Sequence, residues 1–376
     1  MPFEFATATR ILFGAGVARD LAAHASSMGG RPLWVTGSAP QCAPRPAHAV
    51  PFLVTGEPTV GLIRQGAAFA RERGCDSVVA LGGGSAIDAG KAIAALLTNP
   101  GDPLDYLEVI GGGQPLAQTP APFIAVPTTA GTGSEVTRNA VLGSPEHGVK
   151  ASLRSVFMLP RLAVIDPELT LSLPRTITAS TGLDALTQLI EPYVSVRANA
   201  MTDLFCREGI RCAAAALPRA WEDGSALDAR TAMAWAALLG GLALANAGLG
   251  AVHGFAAAVG GMFAAPHGAI CAAILPHAMQ VNVEALRSRA PESPALRRYE
   301  EVAQLLTGDP QATAGDGVGW VAELCRKLEI PPLGAYGVRT EHISGLVEMA
   351  ARSSSMKGNP LPLTTEELSR IAAQAI

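Results

Sequence analysis

Charge is scarce in this chain. Only 16% of its 376 residues are Asp, Glu, Lys or Arg, against 49% apolar residues, and mean hydropathy is +0.27. So little charge excludes a disordered polymer and describes a densely buried globular protein. Lysine is rarer still, with only Lys91, Lys150, Lys327 and Lys357. Net charge is −4 with no basic cluster, which argues against a nucleic-acid partner. The six cysteines, Cys42, Cys75, Cys206, Cys212, Cys271 and Cys325, lack the spacing of a disulfide scaffold. They read as free thiols in a reducing cytoplasm, with Cys206 and Cys212 as core thiols. No apolar run approaches the ~20 residues of a membrane span. The opening Met1-Pro2-Phe3-Glu4-Phe5 lacks the charged and apolar regions of a signal peptide. The expectation is a cytoplasmic protein with no membrane partner.

A chain of this length suits two domains, because one core stops growing at roughly 250–300 residues. Up to about residue 170, short β-rich runs alternate with helical stretches. Strands are expected at 10–13, 32–36, 50–54, 77–81, 123–126 and 161–165, with helices near 17–28 and 86–97. That alternation predicts a Rossmann-like, mostly parallel sheet with helices on both faces. After Leu173-Pro174 the strand signals stop, and long alanine- and leucine-rich stretches such as 201–220 and 227–247 predict helices. The expected fold class is therefore α/β followed by all-α. The dinucleotide-type α/β domain covers 1–173 and a helical domain covers 174–376.

Two loops carry chemistry in the first half. Gly82-Gly83-Gly84-Ser85 follows a strand and opens a helix that contains Asp88. Residues without side chains let backbone N–H groups approach a pyrophosphate, and a helix N-terminus adds partial positive charge. Thr128, Thr129, Thr132 and Ser134, in Pro127-Thr128-Thr129-Ala130-Gly131-Thr132-Gly133-Ser134-Glu135, again follow a strand. Their hydroxyls suit a ribose, amide or phosphate, although Thr132 and Ser134 equally suit a helix cap. Two such loops at the carboxyl ends of strands in one sheet form a nucleotide crevice.

In the second half, Asp184, His253 and His267 lie in otherwise apolar, glycine-rich segments. Two imidazoles and a carboxylate make a divalent-metal site with an open position. Pro266 argues that the two histidines sit on successive helices and not on one.

With these motifs in this order, including Asp184-Ala185-Leu186-Thr187 and Pro266-His267-Gly268, the chain resembles the iron-containing (group III) alcohol dehydrogenases nearly end to end. The resemblance implies the dehydroquinate synthase-like fold, with a dinucleotide-binding domain, a helical domain and a metal in the cleft between them. It implies hydride transfer between NAD or NADP and a small alcohol or aldehyde, in a homodimer or higher homo-oligomer. By position, Gly83, Gly84 and Ser85 match the pyrophosphate loop, and Asp88 the nicotinamide end. Thr128, Thr129 and Thr132 match residues along the cofactor, and Lys150 one that reaches the ribose. Asp184, His253 and His267 match ligands of Fe²⁺ or Zn²⁺ and carry the catalysis.

Three departures stand out. Gln188 occupies a ligand position where the family commonly has histidine, and an amide oxygen is a weaker ligand than imidazole. Related glycerol dehydrogenases resemble a three-ligand Asp/His/His version. Ala257 stands where many members carry a proton-relaying histidine, and His277 reads as a structural residue. Gly37-Ser38 ends the second strand where NAD-preferring relatives have an aspartate, so a 2′-phosphate meets no repulsion and NADP is acceptable. The alternatives are a metal-independent maleylacetate-reductase-like enzyme, a dehydroquinate synthase-like lyase, and a nucleotide-binding protein without turnover.

Overall fold

The computed structural model describes residues 2–37 and 43–376. Ser38 and Cys42, with part of the proline-rich connection 40–51, lie outside the described residues. The chain divides into two compact units, Phe5–Ser172 and Leu173–Ile376, the second joined by the residues before Phe5.

The first unit contains strands β1 (Ile11–Phe13), β2 (Pro32–Thr36), β3 (Val50–Leu53), β4 (Ser77–Gly82), β5 (Phe123–Pro127), β6 (Asn139–Ser144), β7 (Val149–Arg154) and β8 (Leu162–Ile165). Its helices are α1 (Leu21–Met28), α2 (Val60–Glu72), α3 (Gly84–Thr98) and the short α4 (Pro103–Tyr106). Six strands form an all-parallel sheet in the order β1-β8-β5-β4-β2-β3. Side chains alternate faces along each strand. Val78, Ala80, Phe123 and Ala125 pack with Ile63 of α2 and Ile87 of α3, whereas Val79, Leu81, Ile124 and Val126 pack with Leu21 of α1. Both faces are thus covered, and the central strands read as continuous apolar runs. The antiparallel hairpin β6–β7 is an addition that the sequence reading did not anticipate.

From β2 the chain runs outward to β3 on one side, then returns to β4 and β5 on the other. Strand order therefore reverses at β2/β4, the place where open α/β sheets bind ligands. Thr36, Leu81 and Val126 are in register there, so β2, β4 and β5 end within one residue of one another.

The second unit is helical throughout: α5 (Arg175–Val194), α6 (Ala200–Glu222), α7 (Leu227–Ala247), α8 (Ala251–Met262), α9 (His267–Arg289), α10 (Pro294–Thr307), α11 (Ala314–Lys327), α12 (Ile343–Arg352) and α13 (Thr365–Gln374). Helix α9 is long and apolar enough to cross a membrane, but 83% of its apolar window is buried within the protein. Asp184 and Gln188 lie inside α5, one turn apart and both buried. Helix α8 ends at Met262, and after a short extended link Pro266 caps the start of α9. Gly268 then permits the start of α9 to press against α5. A Cβ there would stand 2.5 Å from the Ser180 carbonyl oxygen.

Candidate metal centre and dinucleotide loops

Helices α5, α8 and α9 bring Asp184, His253, His267 and Cys271 together, with one donor atom from each lying within 4.8 Å of all the others. Asp184 Oδ1 is 3.4 Å from His253 Nε2 and 3.7 Å from His267 Nε2. Cys271 Sγ is 3.9 Å from His253 Nε2 and 3.7 Å from His267 Nε2. Asp184 and Cys271 are fully buried and His253 nearly so, while the His267 side chain keeps 34% of its surface exposed.

The far side of His253 is anchored. Its Nδ1 lies 2.7 Å from Glu191 Oε2, and Oε1 of the same carboxylate accepts from Val252 N. A carboxylate only accepts, so in the neutral ring Nδ1 carries the proton and the Nε2 lone pair faces the cluster. Asp184 Oδ1 is buried and accepts no hydrogen bond. Lone pairs facing one another around an orphaned carboxylate oxygen need a positive centre. Burial pushes both imidazoles toward the neutral form, but negative charge at Cys271 and Asp184 outweighs it. His267 rises to about 9, and His253 rises well above its ordinary value. Burial likewise pushes Asp184 up, but the His267 and His253 rings and a hydrogen bond from Gln188 bring it below the usual carboxylate range. A divalent cation would exploit this same negative potential, and the donor set fits one.

Sequence reasoning named Asp184, His253 and His267, and the fold brings all three together. Gln188 sits one turn from Asp184 with a buried Oε1 that accepts no hydrogen bond. Two residues were missed. Cys271 lies four residues after His267, a spacing that shares a helix face, and Glu191 lies seven after Asp184 on α5. His277 sits further along α9, its imidazole pushed down by burial. Five cysteines, Cys75, Cys206, Cys212, Cys271 and Cys325, are free.

In the α/β unit, Gly83 caps α3, leaving Gly84 and Ser85 in its first turn. The second loop packs directly against the first: Thr128 N donates to the Gly82 carbonyl, and a Cβ at Gly84 would meet the Thr132 side chain at 2.9 Å. Thr129 borders Gly83 in the same way, at 3.5 Å. Asp88 accepts from Ser134 Oγ and Val141 N, each at 3.0 Å, so its carboxylate ties α3 to the second loop and to β6. One turn on, the buried Lys91 Nζ donates to Thr137 O, Thr137 Oγ1 and Asn139 O. Lys150, on β7, pairs with Glu57 at 2.5 Å.

Comparison with known proteins covers both units. Residues 8–167 match the family model described as iron-containing alcohol dehydrogenase, and residues 178–376 match its C-terminal counterpart. Alcohol dehydrogenase 4 of Schizosaccharomyces pombe is 37% identical over 324 residues, covering 86% of this chain and 74% of that one. The crystal structure of a 1,3-propanediol oxidoreductase superposes with TM-score 0.91 at 31% identity, covering 100% of both chains. Sulfoacetaldehyde reductase from Bifidobacterium kashiwanohense, solved in complex with NAD+, gives TM-score 0.84 at 28% identity, covering 100% of this chain and 99% of that one.

Proposed function

Because this chain belongs to the iron-containing alcohol dehydrogenase family and is an oxidoreductase acting on CH–OH groups, we propose that it interconverts a small alcohol and its aldehyde with NAD or NADP, using one divalent cation held by Asp184, His253 and His267. The observation that carries the reading is the buried Asp184 Oδ1, which accepts no hydrogen bond and faces both imidazoles.

A bound divalent cation supplies a Lewis acid that polarises a carbonyl or stabilises alkoxide charge. The protein does the rest. Glu191 holds the tautomer and orientation of His253, as carboxylate partners of metal-binding imidazoles do. Gly83, Gly84 and Ser85 present backbone N–H groups at the start of α3 to the cofactor pyrophosphate. Thr128, Thr129 and Thr132 line the cofactor beside them, and Lys150 serves the ribose. Asp88 positions these loops through Ser134 and Val141. Against the effect of burial, the His267 and His253 rings, with a smaller contribution from Gln188, hold the Asp184 carboxylate below its usual range. The side-chain oxygen of Gln188 is available as a further donor.

A metal-independent reductase would have to neutralise Asp184 with protons held on the two imidazoles, whereas one divalent cation meets the carboxylate and both ring lone pairs together, so the metal-dependent reading is favoured. NADP is proposed as an accepted cofactor because nothing acidic follows Thr36 in Gly37-Ser38. A homodimer or higher homo-oligomer in the cytoplasm completes the proposal, the free thiols suiting a reducing compartment.

The test is aldehyde-dependent NAD(P)H oxidation by chelator-stripped protein, before and after Fe²⁺ or Zn²⁺ is restored. Activity that returns only with metal supports the reading. Equal activity in stripped protein overturns it.

A further inference from the structure

We propose that Cys271 is a metal ligand of this protein, so that the cation is held by an Asp184/His253/His267/Cys271 set in which a thiolate takes the place of the weak amide donor Gln188. This deepens the metal-dependent reading above and rests on it.

The geometry carries the assignment. With Zn–S at about 2.3 Å and Zn–N or Zn–O at about 2.0–2.1 Å, a tetrahedral centre separates sulfur from nitrogen by roughly 3.6 Å and nitrogen from oxygen by roughly 3.3 Å. The observed sulfur–nitrogen distances are 3.7 and 3.9 Å. The observed nitrogen–oxygen distances are 3.4 and 3.7 Å. These four of the six edges sit slightly outside a tetrahedron, and every donor pair lies within 4.8 Å, so inward movement would close the set onto one ion.

A simple S–H hydrogen bond accounts for less. One thiol proton satisfies one ring, yet Sγ faces the Nε2 atoms of both. It also leaves Asp184 Oδ1 without a hydrogen-bond partner. Position on the helix makes the pair efficient, since His267 and Cys271 are one turn apart on α9 and present their donors together.

A thiolate changes what the site prefers. Sulfur is a soft ligand suited to zinc, so it moves the site further toward zinc than an Asp/His/His set, whose donor types admit both iron and zinc. Four protein donors also fill the tetrahedron, so an incoming ligand must use an expanded fifth position, which zinc tolerates.

The experiment is X-ray absorption at the zinc edge on the full-length protein, stripped with chelator and reloaded with one equivalent of Zn²⁺. Parallel optical spectra of the Co²⁺-loaded protein complete it. The expected result is one sulfur at about 2.3 Å, with a thiolate-to-cobalt charge-transfer band in the near ultraviolet. Cys271→Ser should abolish both signals and weaken zinc binding by more than the roughly 10–100-fold that loss of an outer partner costs. Gln188→Ala and Cys325→Ser should retain both signals. A wild-type zinc shell of nitrogen and oxygen only, with no cobalt–thiolate band, overturns the ligand role of Cys271 while leaving Asp184, His253 and His267 in place. Failure to bind either ion overturns the metal-dependent reading itself.

Discussion

Glu191 holds His253 from two directions: Oε2 lies 2.7 Å from the ring Nδ1, and Oε1 accepts from the backbone N–H of Val252 at 2.6 Å. One carboxylate thus sets both the ring and the first turn of the helix that carries it. Glu191→Gln keeps the shape but loses the charge that favours an Nδ1 proton. We expect metal affinity to fall roughly 10–100-fold, measured by competition with a chromophoric chelator. Turnover should recover substantially at saturating metal. Unchanged affinity would show that Glu191 only stabilises the fold.

Asp184→Asn tests the ligand itself. Removing the charge should cut kcat/KM by roughly 10³-fold, about 4 kcal/mol of transition-state stabilisation, and added metal should not restore it. The same site predicts a thermal effect. Metal at 100 times its Kd should stabilise the wild type by about 2.7 kcal/mol over stripped protein, and Asp184→Asn should show no such gain in calorimetry.

Gly84→Ala probes the nucleotide loops. The new Cβ would lie 2.9 Å from Thr132 Cγ2 and Oγ1, forcing the two loops apart. Overpacking of this kind costs about 1–3 kcal/mol, so the Kd for NAD(P)H should rise about tenfold or more, read from nicotinamide fluorescence. Adding Thr132→Ala should relieve the clash and recover part of the loss. Binding that survives Gly84→Ala unchanged would place the nucleotide elsewhere.

Glu135 and Lys91 give the α/β unit a pH signature. Burial raises Glu135 from 4.5 to about 7, against the pull of a backbone hydrogen bond and of Lys91. The folded state then holds its proton more tightly, so this contribution is complete below pH 4.5 and is lost as pH rises through 7. Burial lowers Lys91 from 10.5 to about 8, so stability rises again between those two values. Urea midpoints should fall from pH 4.5 to 7, by on the order of 1–3 kcal/mol in free energy, and Glu135→Gln should flatten that limb. A Glu135→Gln curve parallel to the wild type would contradict the assignment.

Much of the fold was legible because the signals are local. The runs at 78–81 and 123–126 are wholly apolar, as central parallel strands tend to be, and each ends in a glycine- or threonine-rich loop. The two histidines lie on separate helices, as Pro266 suggested: α8 ends at Met262, and Pro266 stands at the N-cap of α9. The hairpin β6–β7 escaped notice for a comparable reason. Its strands bury only alternate residues, and Asn139, Gly143, Ser144 and Pro145 give that stretch the composition of a loop.

For the site, residue type and chain order were enough to single out Asp184, His253 and His267, since carboxylate and imidazole in apolar segments need partners. Chain order does not reveal which lone pairs face one another. Cys271 read as one free thiol among six, and Glu191 as one more acidic residue. Only the packing of α5, α8 and α9 brings the sulfur within 4 Å of both rings and fastens a carboxylate behind His253. Coordination depends on atom-to-atom distances of a few ångströms between residues far apart in the chain. Those distances are decided by how helices pack, not by the residues that each helix contains.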